Sequence, residues 1–238
     1  MLRIEHLTKH YKGSNKGVTD ISLHVEKGDI YAFIGHNGAG KTTALKCITG
    51  IHDYEAGDIY IDGVNLKEDM LGCKRKMAYI PDNPDLYEYL TGIQYLNFVA
   101  DVFQVPAKER EERIHKYADA FEITQSLGDL ISGYSHGMKQ KLALISALVH
   151  SPKLLILDEP FVGLDPKASL ILKKVMAQMC EAGGAIFFST HVLDVAEKLC
   201  NKVAIIKDGT IEASGDMSKV IGEGETLESM FMEVLEND

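Results

Sequence analysis

Apolar and polar positions alternate through the first third of the chain. LRIEHL, DISLHV, DIYAFIG and DIYIDGVNL read as short strands, with EKGD and DG as turn signals. From Thr43 the period lengthens: TALKCITGI places Ala44, Leu45, Ile48 and Ile51 on one face, as a helix does. The glycine-rich segment before it therefore joins a strand to a helix. Residues 85–150 change character. EYLTGIQYLNFVADVFQV, AKEREERIHKYADAF and MKQKLALISALVH all have helical spacing and few strand signals, which predicts a helical insert. LLILD (154–158) and AIFFST (185–190) are apolar throughout, as strands of a buried parallel sheet are, and KASLILKKVMAQMCEAG between them is helical. VAIIKDGTIEASG reads as a hairpin turning at Asp208-Gly209, and a short acidic tail follows. The pattern predicts an α/β fold in one domain over 1–238. Its core and β-rich layer occupy 1–84 and 151–215, a helical subdomain 85–150, and a tail 216–238.

Composition narrows the function classes. With 238 residues and 45% hydrophobic content the chain can bury a substantial core. A formal charge of −10 disfavours binding nucleic acid through general positive charge. Cys47, Cys73, Cys180 and Cys200 form no C-x-x-C pair, which argues against a zinc or redox motif and suggests a reducing compartment. The N-terminal MLRIEHLTKHY has no continuous apolar stretch after its positive charge, and no run approaches the roughly 18 residues that span a bilayer. The expectation is a cytosolic chain.

The candidate chemistry begins at GHNGAGKTT, residues 35–43. Gly35, Gly40, Lys41 and Thr42 satisfy the G-x-x-x-x-G-K-[ST] spacing of a P-loop in the required strand-loop-helix setting. Glycines let the backbone approach an anion, and successive N–H groups from Gly35, His36, Asn37, Gly38, Ala39 and Gly40 into Thr42 and Thr43 can form a nest around phosphates. Lys41 would neutralise the β- and γ-phosphate oxygens, and the Thr42 hydroxyl would ligate Mg²⁺. LLILDEP adds a second signal. Asp158 and Glu159 end an apolar strand where open α/β sheets bind ligands, so Asp158 can hold the metal while Glu159 polarises an attacking water.

With these motifs, and with YSHGMKQ (134–140), VGLDP (162–166) and STH (189–191) in order, the chain resembles the ATP-binding cassette (ABC) ATPases over nearly its whole length. The resemblance implies a RecA-like P-loop core, an antiparallel β-subdomain and an inserted helical subdomain, acting as the nucleotide-binding subunit of a transporter with ATP and Mg²⁺. It implies that Ser135 and Gly137 cap the γ-phosphate of ATP bound to the opposite subunit, and that Asp165 crosses the dimer interface. It also makes His191 the switch histidine, catalytic alongside Glu159 and Lys41, and Tyr11 the aromatic that stacks on adenine. Without the resemblance Tyr11 reads as a half-buried strand residue, His191 as a capping histidine, and Ser135 and Gly137 as a helix cap and turn.

Where the family signature usually reads L-S-G-G-Q, Tyr134, Ser135, His136, Gly137 and Met138 stand, keeping the serine and second glycine, and two departures from the family pattern matter. His136 replaces the first glycine of the signature, and Asp82, in YIPDNP, stands where glutamine is usual. Asp82 can still ligate Mg²⁺ or water but adds negative charge beside ATP; acids occur here in some exporter-type subunits, which tilts the reading towards export. One P-loop and one signature per chain imply a second cassette, as homodimer or heterodimer, and a separate transmembrane permease that holds the chain peripherally on the inner face of the membrane. No nucleic acid is expected. The alternatives are a soluble ABC ATPase acting on ribosomes or DNA, disfavoured by the single cassette and acidic charge, and a regulatory ATP-holding module, disfavoured by Glu159 and His191. In residues 79–96, Leu86, Tyr87, Tyr89 and Leu90 either line the groove that receives a permease helix or close the insert's own core.

Overall fold

Burial sorts the strands into two kinds, and two sheets result. In the computed structural model, which describes residues 1–13, 16–222 and 224–236, the chain opens with β1 (Leu2–His10), β2 (Gly17–Val25) and β3 (Ile30–Ile34). Then come α1 (Lys41–Ile48), β4 (Ala56–Ile61), β5 (Val64–Asn65), α2 (Met70–Lys76) and β6 (Met77–Ile80). Helices α3 (Gly92–Val102), α4 (Ala107–Ala120) and α5 (His136–Val149) precede β7 (Leu154–Asp158), α6 (Pro166–Glu181) and β8 (Ala185–Thr190). The chain continues through α7 (Leu193–Leu199), β9 (Lys202–Lys207), β10 (Thr210–Asp216), α8 (Met217–Val220) and α9 (Leu227–Glu236). The alternating strands β1 and β2 join β4 and β5 in an antiparallel sheet of order β2-β1-β4-β5. Strands β3, β7 and β8 bury every residue, and with β6 and β9 they run parallel in a six-stranded sheet of order β10-β9-β3-β8-β7-β6, where β10 is the antiparallel edge.

Side chains of the central strands alternate between two cores. Ala32, Ile34, Leu155, Leu157, Ile186 and Phe188 face the helical layer, whereas Phe33, Leu154, Ile156 and Phe187 face α1 and the antiparallel sheet. Burial on both faces explains why these runs are apolar throughout. Asp208 and Gly209 have φ of 46° and 87°, the pair of left-handed residues that closes the two-residue β9–β10 hairpin. Between β6 and β7 the chain is helical, beginning at a capping box in which Thr91 and Gln94 satisfy each other's backbone N–H groups.

One sequence expectation changes, and two segments left without an assigned element take one up. Helix α1 ends at Ile48, and Ile51 is 54% exposed rather than on its apolar face; Gly50, at φ 64°, turns the chain so that Ile51 N–H bonds back to Lys46 O. The stretch holding YIPDNP begins as strand β6, paired with β7, because Met77, Ala78 and Ile80 are core residues. The acidic tail contains α8 and α9, the latter anchored by fully buried Leu227.

Candidate functional site

The ends of β3, β7 and β8 converge, and the loops leaving them build the site. Residues 35–40 turn the chain from β3 into α1, whose N-terminal N–H groups point out of the turn. Two glycines are forced by contact. A Cβ on Gly35 would lie 2.5 Å from Ile206 O, and one on Gly40, at φ 109°, would lie 2.8 Å from Gly17 O. Beneath the loop the Lys41 ammonium, 6% exposed with its residue, donates to Gly35 O at 2.6 Å and His36 O at 3.3 Å. It also stands 3.6 Å from Glu159 Oε1.

The two acids at the end of β7 are held differently. Asp158 is buried; its Oδ2 accepts from the Thr42 hydroxyl at 2.8 Å and its Oδ1 from the Ser189 hydroxyl. Glu159 leaves the strand at φ 49°, a left-handed conformation unusual outside glycine, with its N–H held by Ser189 O at 3.2 Å and Ser189 Oγ at 3.1 Å. The His191 ring sets Nδ1 3.0 Å from Glu159 Oε1, and the His191 backbone N–H donates to Oε2 at 3.3 Å. The carboxylate is thereby fixed between an ammonium and an imidazole. Partial burial, followed by the charges of Asp158 and Glu159, pushes the Asp82 carboxyl above its ordinary value. No group of three or more acids among the described residues is gathered closely enough to hold a metal by itself, but the Thr42 hydroxyl and the Asp158 and Asp82 carboxylates are oxygen donors of the kind a hard divalent cation takes, as the magnesium expected of a P-loop would.

Tyr11, Asn37, Gly38, Lys41, Thr42, Thr43, Asp82, Asp158 and Glu159 line one cleft of about 250 Å³. Its mouth carries Tyr11, whose hydroxyl is 3.3 Å from Thr43 Oγ1 and whose ring meets the edge of His52. Lys16 and Gly17 line it too, although sequence reading did not single them out. Ser189, fully buried in STH, is a further omission: a hydroxyl ending an apolar strand was the available signal. A larger cleft of about 540 Å³ opens at the other ends of β7 and β8 beside Lys27, Lys116 and Lys153, away from the acids and the P-loop. The chemistry favours the smaller one, since ligands of such sheets bind at the strand C-termini.

Ser135, Gly137 and Asp165 do not line the P-loop cleft; they form a second cluster. Ser135 caps α5 through Met138 N–H at 3.3 Å, and Asp165 caps α6 through Ala168 N–H at 2.8 Å. Lys141 Nζ reaches Asp165 at 2.7 Å and holds that carboxyl below its usual range. The ring of His136 lies against Gly163, where a Cβ would come within 2.7 Å of it. The cap reading of Ser135 is thus observed, alongside a surface that joins the two loops.

The ABC transporter family matches residues 18–162. The chain is 32% identical to the ABC-type transporter ATP-binding protein EcsA of Bacillus subtilis, covering 100% of this chain and 98% of that protein. It is 35% identical to the uncharacterized ABC transporter ATP-binding protein all4389 of Nostoc, covering 86% of this chain but only 61% of that longer relative. A solved ATP-binding subunit of an ABC transporter superposes with a TM-score of 0.94 at 33% identity, over 99% of this chain and 100% of the other. No helix among the described residues is long and apolar enough to cross a membrane. The chain therefore belongs to the ABC transporter family, as one of its ATP-binding ATPase subunits.

Proposed function

We propose that this chain hydrolyses MgATP between two cassettes and thereby drives a separate transmembrane subunit. The observation that carries the reading is Glu159, lining the P-loop cleft with a left-handed backbone and with the His191 backbone N–H and ring against its carboxylate. The N–H groups of residues 35–43 would hold the phosphates, Lys41 exchanging its carbonyl contacts for phosphate oxygens. Tyr11 would stack on adenine. Magnesium, when bound, neutralises charge on the terminal phosphates. Glu159 would accept the proton of the attacking water, and His191 would hold it in place. Ser135 and Gly137, absent from their own chain's cleft, suit a role over the partner's γ-phosphate, with Asp165 crossing between chains. That arrangement makes ATP binding favour a closed dimer and hydrolysis its opening.

A groove for the membrane subunit is suggested by α3. Tyr87 and Tyr89 are 46% and 75% exposed and stack at 5.9 Å, while Leu86 is buried and Leu90 packs on the core. The candidate set thus splits: the tyrosines face outward and the leucines close the core. Tyr87 also meets Tyr95, which lines an apolar groove with Ile51, Val99 and Phe103. This surface suits an inserted helix. Residues 85–150 would shift about the proline-bounded segment 81–84, and Asp82 supports export as the direction. The experiment is coexpression with the neighbouring membrane subunit. Cosedimentation with membranes only in its presence, together with magnesium-dependent phosphate release lost in Lys41→Ala, is the expected result. Membrane-independent turnover stimulated by ribosomes or DNA would instead favour a soluble ABC ATPase.

A further inference from the structure

Helix α9 is gripped at both ends by segments that border the ATP cleft. At its start, the Leu227 N–H donates to Glu197 Oε2 of α7 at 2.9 Å. At its end, Lys207 Nζ donates to Val234 O at 3.1 Å and Leu235 O at 3.3 Å. Each charge has the sign that its helix terminus attracts. Between them Leu227, Met230, Phe231 and Val234, at helical spacing, pack on the core.

The anchoring segments lead to different parts of the site. Helix α7 starts two residues after His191, the partner of Glu159. Lys207 closes β9, and the turn after it supports the P-loop: Gly209 N–H donates to Ala39 O at 3.0 Å and Asp208 Oδ1 is 3.6 Å from His36 Nε2. Ile206 O, next in line, is the atom that excludes a side chain at Gly35.

We propose that Glu197 and Lys207 are positioning residues for ATP hydrolysis, making α9 a strut between the His191 segment and the turn beneath the P-loop. The proposal rests on the ATPase reading above. Because the two ends of the strut serve different steps, they carry different signatures. Losing the Lys207 end loosens the phosphate loop, which weakens nucleotide binding. Losing the Glu197 end frees the segment carrying His191, which slows the chemical step.

The test uses the complete chain with Lys207→Met and Glu197→Ala, and with Lys207→Arg and Glu197→Gln, which keep a donor and an acceptor. Magnesium-free ADP affinity is measured by calorimetry, beside kcat, KM and thermal melting. Lys207→Met is expected to weaken ADP and raise KM about 3–10-fold with kcat kept, and Glu197→Ala to lower kcat about 3–10-fold with ADP affinity kept. The conservative variants restore each parameter. Identical changes in both variants, unaltered constants, or loss of a cooperative melt would make α9 a folding element only and overturn the proposal. Glu159→Gln is run in parallel. Retained turnover there removes the ATPase reading itself, whereas an inactive Glu159→Gln without the split removes only the strut.

Discussion

At the residue scale, Tyr11 and Ser189 separate grip from chemistry. Tyr11 stands at the mouth of the cleft with its hydroxyl at Thr43, so Tyr11→Ala is expected to weaken ATP by about 1–3 kcal/mol through lost stacking, as measured by equilibrium titration. Ser189 does no chemistry, but its hydroxyl bonds Asp158 and its oxygens hold the Glu159 N–H. Ser189→Ala leaves Asp158 without that donor and is expected to cost about 1–3 kcal/mol in stability by denaturant titration, with turnover falling more than nucleotide affinity. The P-loop and DEP acids were legible in the sequence because their chemistry requires fixed spacing along one segment. Ser189 was not, since its role arises only when β7 and β8 lie side by side. Lys16 and Gly17 were hidden for the same reason: β2 reaches the cleft by folding back beside the P-loop.

At the scale of elements, a half-buried imidazole bridges α3, the end of α5 and the sheet, beside the apolar core they share. His150, following α5, stacks on Phe103 at 3.7 Å and donates from Nε2 to Met77 O at 3.2 Å. Burial lowers its pKa from 6.5 to about 4. The folded chain therefore refuses a proton that the unfolded chain accepts, so the stabilisation is full above about 6.5 and declines as pH falls towards 4. Between pH 7 and pH 5 the wild type is expected to lose about 2 kcal/mol that His150→Phe does not lose, read as a narrowing gap between their unfolding free energies. Phe103 and His150 also line the groove proposed for the membrane subunit. There, Tyr87→Ala is expected to melt cooperatively and keep basal ATPase while failing to copurify with the permease; loss of fold in every variant that loses the partner would assign Tyr87 to the core. The long elements were readable from period alone, but α2, β6 and α7 were not. They run only 7, 4 and 7 residues, too short to show a period. The helix α9 went unread because its acidic residues, Glu228, Glu233 and Glu236, mask an apolar face defined by Leu227, Met230, Phe231 and Val234.

For the whole molecule, one chain supplies one P-loop cleft and, elsewhere on its surface, one Ser135–Gly137 loop packed beside Gly163. A second cassette, identical or similar, arranged head to tail would complete both sites, and ATP held between the two would link binding to closure. The claim on which this depends is that Glu159 activates water while the rest of the site binds nucleotide. It is tested most directly by phosphate release from purified Glu159→Gln, measured beside ATP affinity and the mass of the ATP-bound species. The account predicts ATP binding near the wild-type level, turnover lower by about 10²–10⁴-fold as for a lost general base, and an accumulating ATP-bound dimer. Phosphate release at the wild-type rate from this variant, in a preparation free of contaminating ATPase, would contradict it.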